Sequence, residues 1–292
     1  MSTASSIIEE LFRLSGVSKE ISAKKFYKKL RKNAIRYKKG ERRCPNFFGV
    51  RVERSVYCGM PYFLFLPKEV ESEKSVMYIH GSGYMNGYRR AQAKFAAEIA
   101  QNTHAKVYFP LYPKLPIATI LPCFALLNNF YAFLRKKGDV LLVGDSSGAS
   151  LALALAAERE EIRSVIAISP WVSLSVGEDG RAVDTDVMLS LSALDRAARL
   201  WAYDLPYESP KLSPIFGDYA GKELLVFAGG YELFRSDIRR FCHEKSEQGA
   251  VVTYREGREQ QHCYPLLPTP EGREARKEIF KRLQGCIYGG KV

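Results

Sequence analysis

The chain has 292 residues, enough for one large domain or two small ones, and 46% of them are hydrophobic, which excludes a disordered chain. Its longest apolar runs, such as LALALAA, are far shorter than a membrane span. The opening residues, MSTASSIIEELFRLSG, carry Glu9 and Glu10 and no basic leader, so they do not read as a signal peptide and a cytoplasmic location is expected. The formal net charge is +12, and residues 19–43 hold twelve Lys and Arg against only Glu20 and Glu41.

Within that basic segment Phe26, Leu30, Ala34 and Tyr37 recur at helical spacing, with Gly40 as a stop. We read a basic amphipathic helix, docked by its apolar stripe, with a solvated cationic face. No nucleic-acid motif accompanies it, so nucleic acid is not an expected partner. A weak contact with a membrane surface, or with an acidic substrate, stays open. Six scattered cysteines (Cys44, Cys58, Cys123, Cys242, Cys263 and Cys286) form no C-x-x-C pair, so neither zinc nor another metal is expected and free thiols are the default.

From residue 50 the pattern changes. VRVERSVYCG and MPYFLFLP read as two paired strands, and SVMYIH (75–80) as a buried strand. A helix follows in YRRAQAKFAAEIAQNTH, then a strand at 106–113 and a long helix in PIATILPCFALLNNFYAFLRKKG, opening with Pro116. VLLVGDS is a strand that runs straight into an Ala/Leu-rich helix, and RSVIAISPWVS (163–173) is the next strand. A polar stretch at about 176–222 interrupts the alternation. ELLVFAGG (223–230), a helix near 235–249, a strand at 250–257 and a terminal helix at 270–287 complete it. Buried strands alternating with helices imply a mostly parallel sheet covered on both faces, the first pair forming an antiparallel edge. A single domain is expected, with residues 1–45 and 176–222 as helical cap elements over the carboxyl edge of the sheet, where sites form in such folds.

The chemistry starts at Gly144, Asp145, Ser146, Ser147 and Gly148. This is G-x-S-x-G at a strand-to-helix junction, the context in which a serine sits on a tight, strained turn with its hydroxyl pushed out of the sheet. A serine hydroxyl needs a base. Of the four histidines, His104 and His243 fall on helices and His80 ends a strand inside HGSGY. His262 lies in the loop after the last strand and is the expected base. An acid must orient it. Glu232 stands nearest the end of the preceding strand and is preferred, while Asp237, further into the next helix, remains an alternative. The backbone N–H groups of Ser82, Gly83 and Ser147 are the expected oxyanion donors. Gly81, Gly83 and Gly87 miss the dinucleotide fingerprint by one residue, so a nucleotide loop is not expected.

HGSGY, GDSSG, SPWVSLS, SPIFGD, AGGYELFRSD and HCYPLLP, in this order, resemble the hormone-sensitive-lipase-like branch of the α/β-hydrolase esterases. The resemblance spans about residues 45–288. It matches His80 to Gly83 with HGGG and Gly144 to Ala149 with GDSAGG; Glu232 and His262 match the triad acid and histidine. It implies an α/β-hydrolase fold and a cofactor-free serine carboxylesterase that acts on short- to medium-chain esters. Ser82, Ala149 and Glu232 depart from the commonest family residues without removing a reactive group. An amidase, formamidase or sugar deacetylase would use the same machinery, and a non-catalytic small-molecule receptor is a third class.

Overall fold

Alternating apolar residues pair Val50–Tyr57 (β1) with Met60–Pro67 (β2) as an antiparallel hairpin. Its two-residue turn, Cys58 and Gly59, has positive φ at both positions (46° and 80°), the backbone that matches the twist of the strands. The structure, a computed structural model, describes residues 1–38 and 45–289; Gly40 and Cys44 lie outside the described residues.

Six further strands follow: Ser75–Ile79 (β3), Lys106–Pro110 (β4), Val140–Asp145 (β5), Ser164–Ile168 (β6), Glu223–Gly229 (β7) and Val251–Gly257 (β8). They form one sheet in the order β1-β2-β4-β3-β5-β6-β7-β8. Contacts of β2 with β1 and β4 are antiparallel, and all others are parallel. The helices are Thr3–Ser15 (α1), Ala23–Lys38 (α2), Arg90–Thr103 (α3), Ile120–Arg135 (α4), Ser147–Glu158 (α5), Glu178–Arg181 (α6), Leu191–Ala202 (α7), Arg235–Glu247 (α8) and Pro270–Tyr288 (α9).

The sheet is buried on both faces because its strands alternate apolar residues to each side. Val76 and Tyr78 of β3 pack in one core with Phe95 of α3 and Ile279 of α9. Met77 and Ile79 pack in the other with Phe124 of α4 and Leu151 of α5. The chain passes from β3 to β4 on one side and then to β5 on the other, so β3 and β5 are neighbours whose connections leave in opposite directions. Such a switch point opens a crevice beyond the carboxyl ends of the two strands.

The α/β-hydrolase expectation holds in strand number and mostly parallel order. Several boundaries differ. β4 stops at Pro110 and β6 at Ile168, and α4 begins after Thr119 rather than at Pro116. The reason is tertiary: residues 111–117 are drawn beneath the 80–85 loop, where the Leu115 N–H donates to the Tyr84 carbonyl. The basic helix runs over Ala23–Lys38 and docks by Phe26 and Leu30, its apolar stripe, while Lys24, Lys25, Lys28, Arg31 and Lys32 face water.

The two stretches outside the alternation hold each other. The Ser192 N–H donates to the Glu20 carboxylate, and Arg196 donates to the Ile21 carbonyl (2.9 Å). Tyr84 stacks on Trp201 of α7 with ring centroids 4.5 Å apart, and on Trp171 at 5.4 Å.

Gly148, in the first turn of α5, lies against the end of β3; a Cβ there would stand 2.1 Å from the Ile79 carbonyl oxygen and 2.6 Å from the His80 carbonyl carbon. Both are backbone atoms and cannot swing aside. Gly148→Ala is expected to destabilise the protein by about 2–3 kcal/mol, read as a lower midpoint of urea denaturation.

Candidate active site

The turn from β5 into α5 carries Ser146 at φ 53° and ψ −129°, a conformation that L side chains rarely adopt. Its N–H donates to the Ile168 carbonyl of β6 (2.8 Å), which ties the turn to the sheet. Gly144 is required for the same close crossing, since a Cβ there would lie 2.7 Å from the Ala149 backbone. Tyr84, Ser169 and Cys263 also have positive φ, so four strained residues gather along this edge of the sheet.

His262 arrives from the other side. The loop after β8 folds back across the end of β7, where the Tyr231 N–H donates to the Gln260 carbonyl. It reaches Ser169 at the end of β6, whose hydroxyl accepts the Cys263 N–H at 2.9 Å. His262 Nε2 then lies 2.9 Å from Ser146 Oγ, and His262 Nδ1 lies 2.7 Å from Glu232 Oε2. Glu232 and His262 are buried. With Nδ1–H donating to the carboxylate, Nε2 is left to accept the serine proton.

Asp237, the alternative acid, is engaged elsewhere: it accepts the Gly177 N–H at 3.0 Å and pairs with Arg240 at 3.5 Å. His243 is an exposed residue of α8, 3.6 Å from Glu247, and His104 caps α3 beside Glu71.

Burial raises the Glu232 carboxyl above its ordinary value, and the hydrogen bond from His262 pulls against that rise. Burial also works against a charged His262. The Glu232 carboxylate at Nδ1 opposes it, and the His262 pKa is raised above the ordinary histidine value. Burial pushes the Cys263 thiol up to about 11, so it is neutral at pH 7 and Glu232 is the anion that holds His262.

The 80–83 loop is bound to the elbow through Asp145. This buried carboxylate accepts from Tyr78 Oη (2.6 Å), the Gly81 N–H (2.9 Å) and Gln92 Nε2 (2.7 Å). His80 is a neutral structural residue: burial first, then Lys114, hold its pKa well below the usual value, and its ring stacks on Phe109. Its Nδ1–H donates to the Gly81 carbonyl. Tyr112 Oη donates to the His80 carbonyl at 2.7 Å.

Of the three expected oxyanion donors, Ser82 differs from expectation. Its N–H donates to Ser147 Oγ at 3.0 Å, because Ser147, at the first position of α5, turns its hydroxyl towards the loop. Among the described residues the N–H groups of Gly83 and Ser147 make no hydrogen bond, so they are open to a ligand.

Sequence reasoning missed Gln92, Tyr112 and Asp186. Asp186 accepts from the N–H groups of Met188, Leu189 and Leu233, and so pins the interrupting stretch to the Glu232 loop. Gln261, beside His262, bonds to Val187 and Thr185 of the same stretch. No motif marks these residues; only their place in the fold does. Among the described residues no group of His, Cys, Asp and Glu is placed to hold a metal ion, and no helix is long and apolar enough to cross a membrane.

A cavity of about 1090 Å³ opens over Ser146 and His262. Its walls include Phe12 and Val17 from the N-terminal stretch, Met188 and Leu194 from the 176–222 stretch, and Leu266 and Leu267 after His262. It is large enough for a drug-sized ligand, and both apolar and polar side chains line it.

A family model described as alpha/beta hydrolase fold matches residues 76–266. An esterase of Acinetobacter venetianus is 28% identical over 206 residues, 64% of this chain and 67% of that protein. An acetyl-hydrolase of Streptomyces hygroscopicus is 28% identical over 220 residues, 69% and 72% of the two chains. Among solved structures, an esterase from the bacterial hormone-sensitive lipase family superposes with a TM-score of 0.82 at 20% identity, over 97% of this chain and 98% of that one. The α/β-hydrolase fold that the motif resemblance implies is borne out. The chain belongs to the α/β-hydrolase fold family, as an esterase- and lipase-like member.

Proposed function

We propose that this protein is a serine carboxylesterase for short- to medium-chain acyl esters. The observation that carries the reading is the buried hydrogen-bonded series Ser146–His262–Glu232 at the carboxyl edge of the sheet. In this reading His262 Nε2 takes the Ser146 proton as Oγ attacks the ester carbonyl. The carbonyl oxygen gains charge and is held by the N–H groups of Gly83 and Ser147, joined by Ser82 when Ser147 Oγ releases it. The imidazolium, steadied by Glu232, protonates the departing alcohol. Water then enters, His262 takes its proton, and the acyl group leaves as a carboxylic acid, restoring Ser146.

The N-terminal stretch and the 176–222 stretch act as the cap. Both line the cavity, and their apolar residues set the room for the acyl chain. The names of the relatives support ester hydrolysis, and a cavity of this size suits acyl chains beyond acetate.

Hydrolysis of 4-nitrophenyl esters from acetate to decanoate tests the reading. The wild type is expected to turn over short to medium chains best, and Ser146→Ala to lose at least about a thousandfold in kcat. Turnover that survives in Ser146→Ala, or no turnover of any ester, would overturn it. Activity on amides or acetylated sugars alone would move the assignment to another hydrolase of this fold.

The raised pKa of His262 sets a sign for the pH profile. The base works only when neutral, so activity falls as pH drops through that pKa. The acid limb of kcat/KM is expected above about pH 6.5, the ordinary histidine value. Glu232→Gln removes the anion that raises it. That variant is expected to lower kcat by about 10⁴ and to move the acid limb down, as a pH–rate titration would show.

A further inference from the structure

Part of the exposed charge of the basic helix lies over the cavity: Lys29 and Arg36 are solvent-exposed and line it. Asn33 Nδ2 donates to the Met85 carbonyl at 2.7 Å and seats α2 on the loop that follows the 80–83 segment. Positions 29, 33 and 36 share one helical face, and all three line the cavity over Ser146. Arg89 and Arg90, entering α3, also line it, with the Arg90 guanidinium 5.9 Å from the Phe47 ring centroid. Among the described residues no carboxylate forms an ion pair with Lys29, Arg36, Arg89 or Arg90. Among the described residues the one acid in the cavity wall, Asp145, has its oxygens taken by Tyr78, Gly81 and Gln92.

Two of these cations feel each other. Burial first, and then the Arg89 guanidinium, hold the Lys29 ammonium below its ordinary pKa. Like charges brought together at a partly desolvated wall cost free energy unless an anion sits between them. An apolar acyl cavity needs no such wall.

We propose that Lys29 and Arg36 of α2, with Arg89 and Arg90 at the start of α3, form an anion subsite that binds a carboxylate carried by the ester substrate. The subsite rests on the esterase reading above and names the substrate class within it: half-esters of dicarboxylic acids and esters of hydroxy acids. The four cations are exposed where they line the cavity, and the candidate nucleophile Ser146 lines the same cavity. A substrate with a charged end is therefore oriented, ester first, before the chemistry begins.

The test pairs each anionic ester with a neutral partner. Mono(4-nitrophenyl) glutarate is set against 4-nitrophenyl butyrate, and 4-acetoxybenzoate against phenyl acetate. The wild type is expected to favour the anionic member of at least one pair in kcat/KM, through KM. In Lys29→Met/Arg89→Met that preference is expected to fall about tenfold, and to shrink in the wild type as salt is raised. Lys32→Met, on the solvated face of the same helix, is expected to keep it.

Calorimetric binding of glutaric acid monoamide to Ser146→Ala reads the subsite without turnover, with butyramide as the neutral control. Preference for the anionic amide, lost in the triple variant that adds Lys29→Met and Arg89→Met, supports the subsite. Equal binding of the two amides, or ester preferences that the double variant leaves unchanged, would overturn it. Absence of Ser146-dependent hydrolysis of all four esters would overturn the esterase reading instead, and the binding measurement would still decide the subsite.

Discussion

Gly148 lies where the first turn of α5 passes over the end of β3, so close that no side chain fits between them. That approach joins the two segments on which the site is built. It brings the 80–83 loop against the elbow, where Asp145 fastens Gly81 and Ser82 meets Ser147. It is possible because β3 and β5 are neighbours at the point where the strand order reverses. The candidate nucleophile and candidate oxyanion donors therefore sit on segments held to each other by hydrogen bonds.

The second half of the site depends on a buried polar network. His262 travels across the ends of two strands, and each step of that path is held: Gln260 to Tyr231, Cys263 to Ser169, Gln261 to Val187. Asp186 closes the ring by bonding to both the 188–189 turn and Leu233, next to Glu232. Buried polar atoms left without partners are costly, so these hydrogen bonds favour one arrangement of the three candidate residues, although among the described residues Glu232 Oε1 has no hydrogen-bond partner. The same burial drives the electrostatics. It strengthens the attraction between Glu232 and His262, and it makes the neighbouring thiol of Cys263 inert.

Above this rigid floor the wall is of another kind. It is assembled from two stretches far apart in sequence that meet through Glu20, Ile21, Ser192 and Arg196. Apolar residues and exposed cations share it, and under the proposal the cations' field would act on a charged ligand before contact. In the proposed reading, floor and wall divide the work: fixed backbone geometry for the reaction, and side chains of the covering helices for the choice of substrate.

The strand–helix alternation, the elbow, and the candidates Ser146, Glu232 and His262 were legible in the amino-acid sequence. Each is a local pattern: period-two burial, glycines around a strained serine, a histidine left over after helices claim the others. Glu232 was separable from Asp237 because one stands at a strand end and the other a turn into a helix. What the sequence could not reveal was how distant loops share atoms. The Ser82 N–H goes to Ser147, residues 111–117 are pulled under the 80–85 loop, and Asp186 and Gln92 act through partners 47 and 53 positions away. The basic run was visible as charge, but which of its exposed cations, Lys29 and Arg36, line the cavity was decided by packing, once Phe26, Leu30 and Asn33 fixed the rotation of α2. Local chemistry is written in neighbouring residues, whereas the partners of a buried polar group and the face a helix turns inward are set by contacts that exist only in the folded chain.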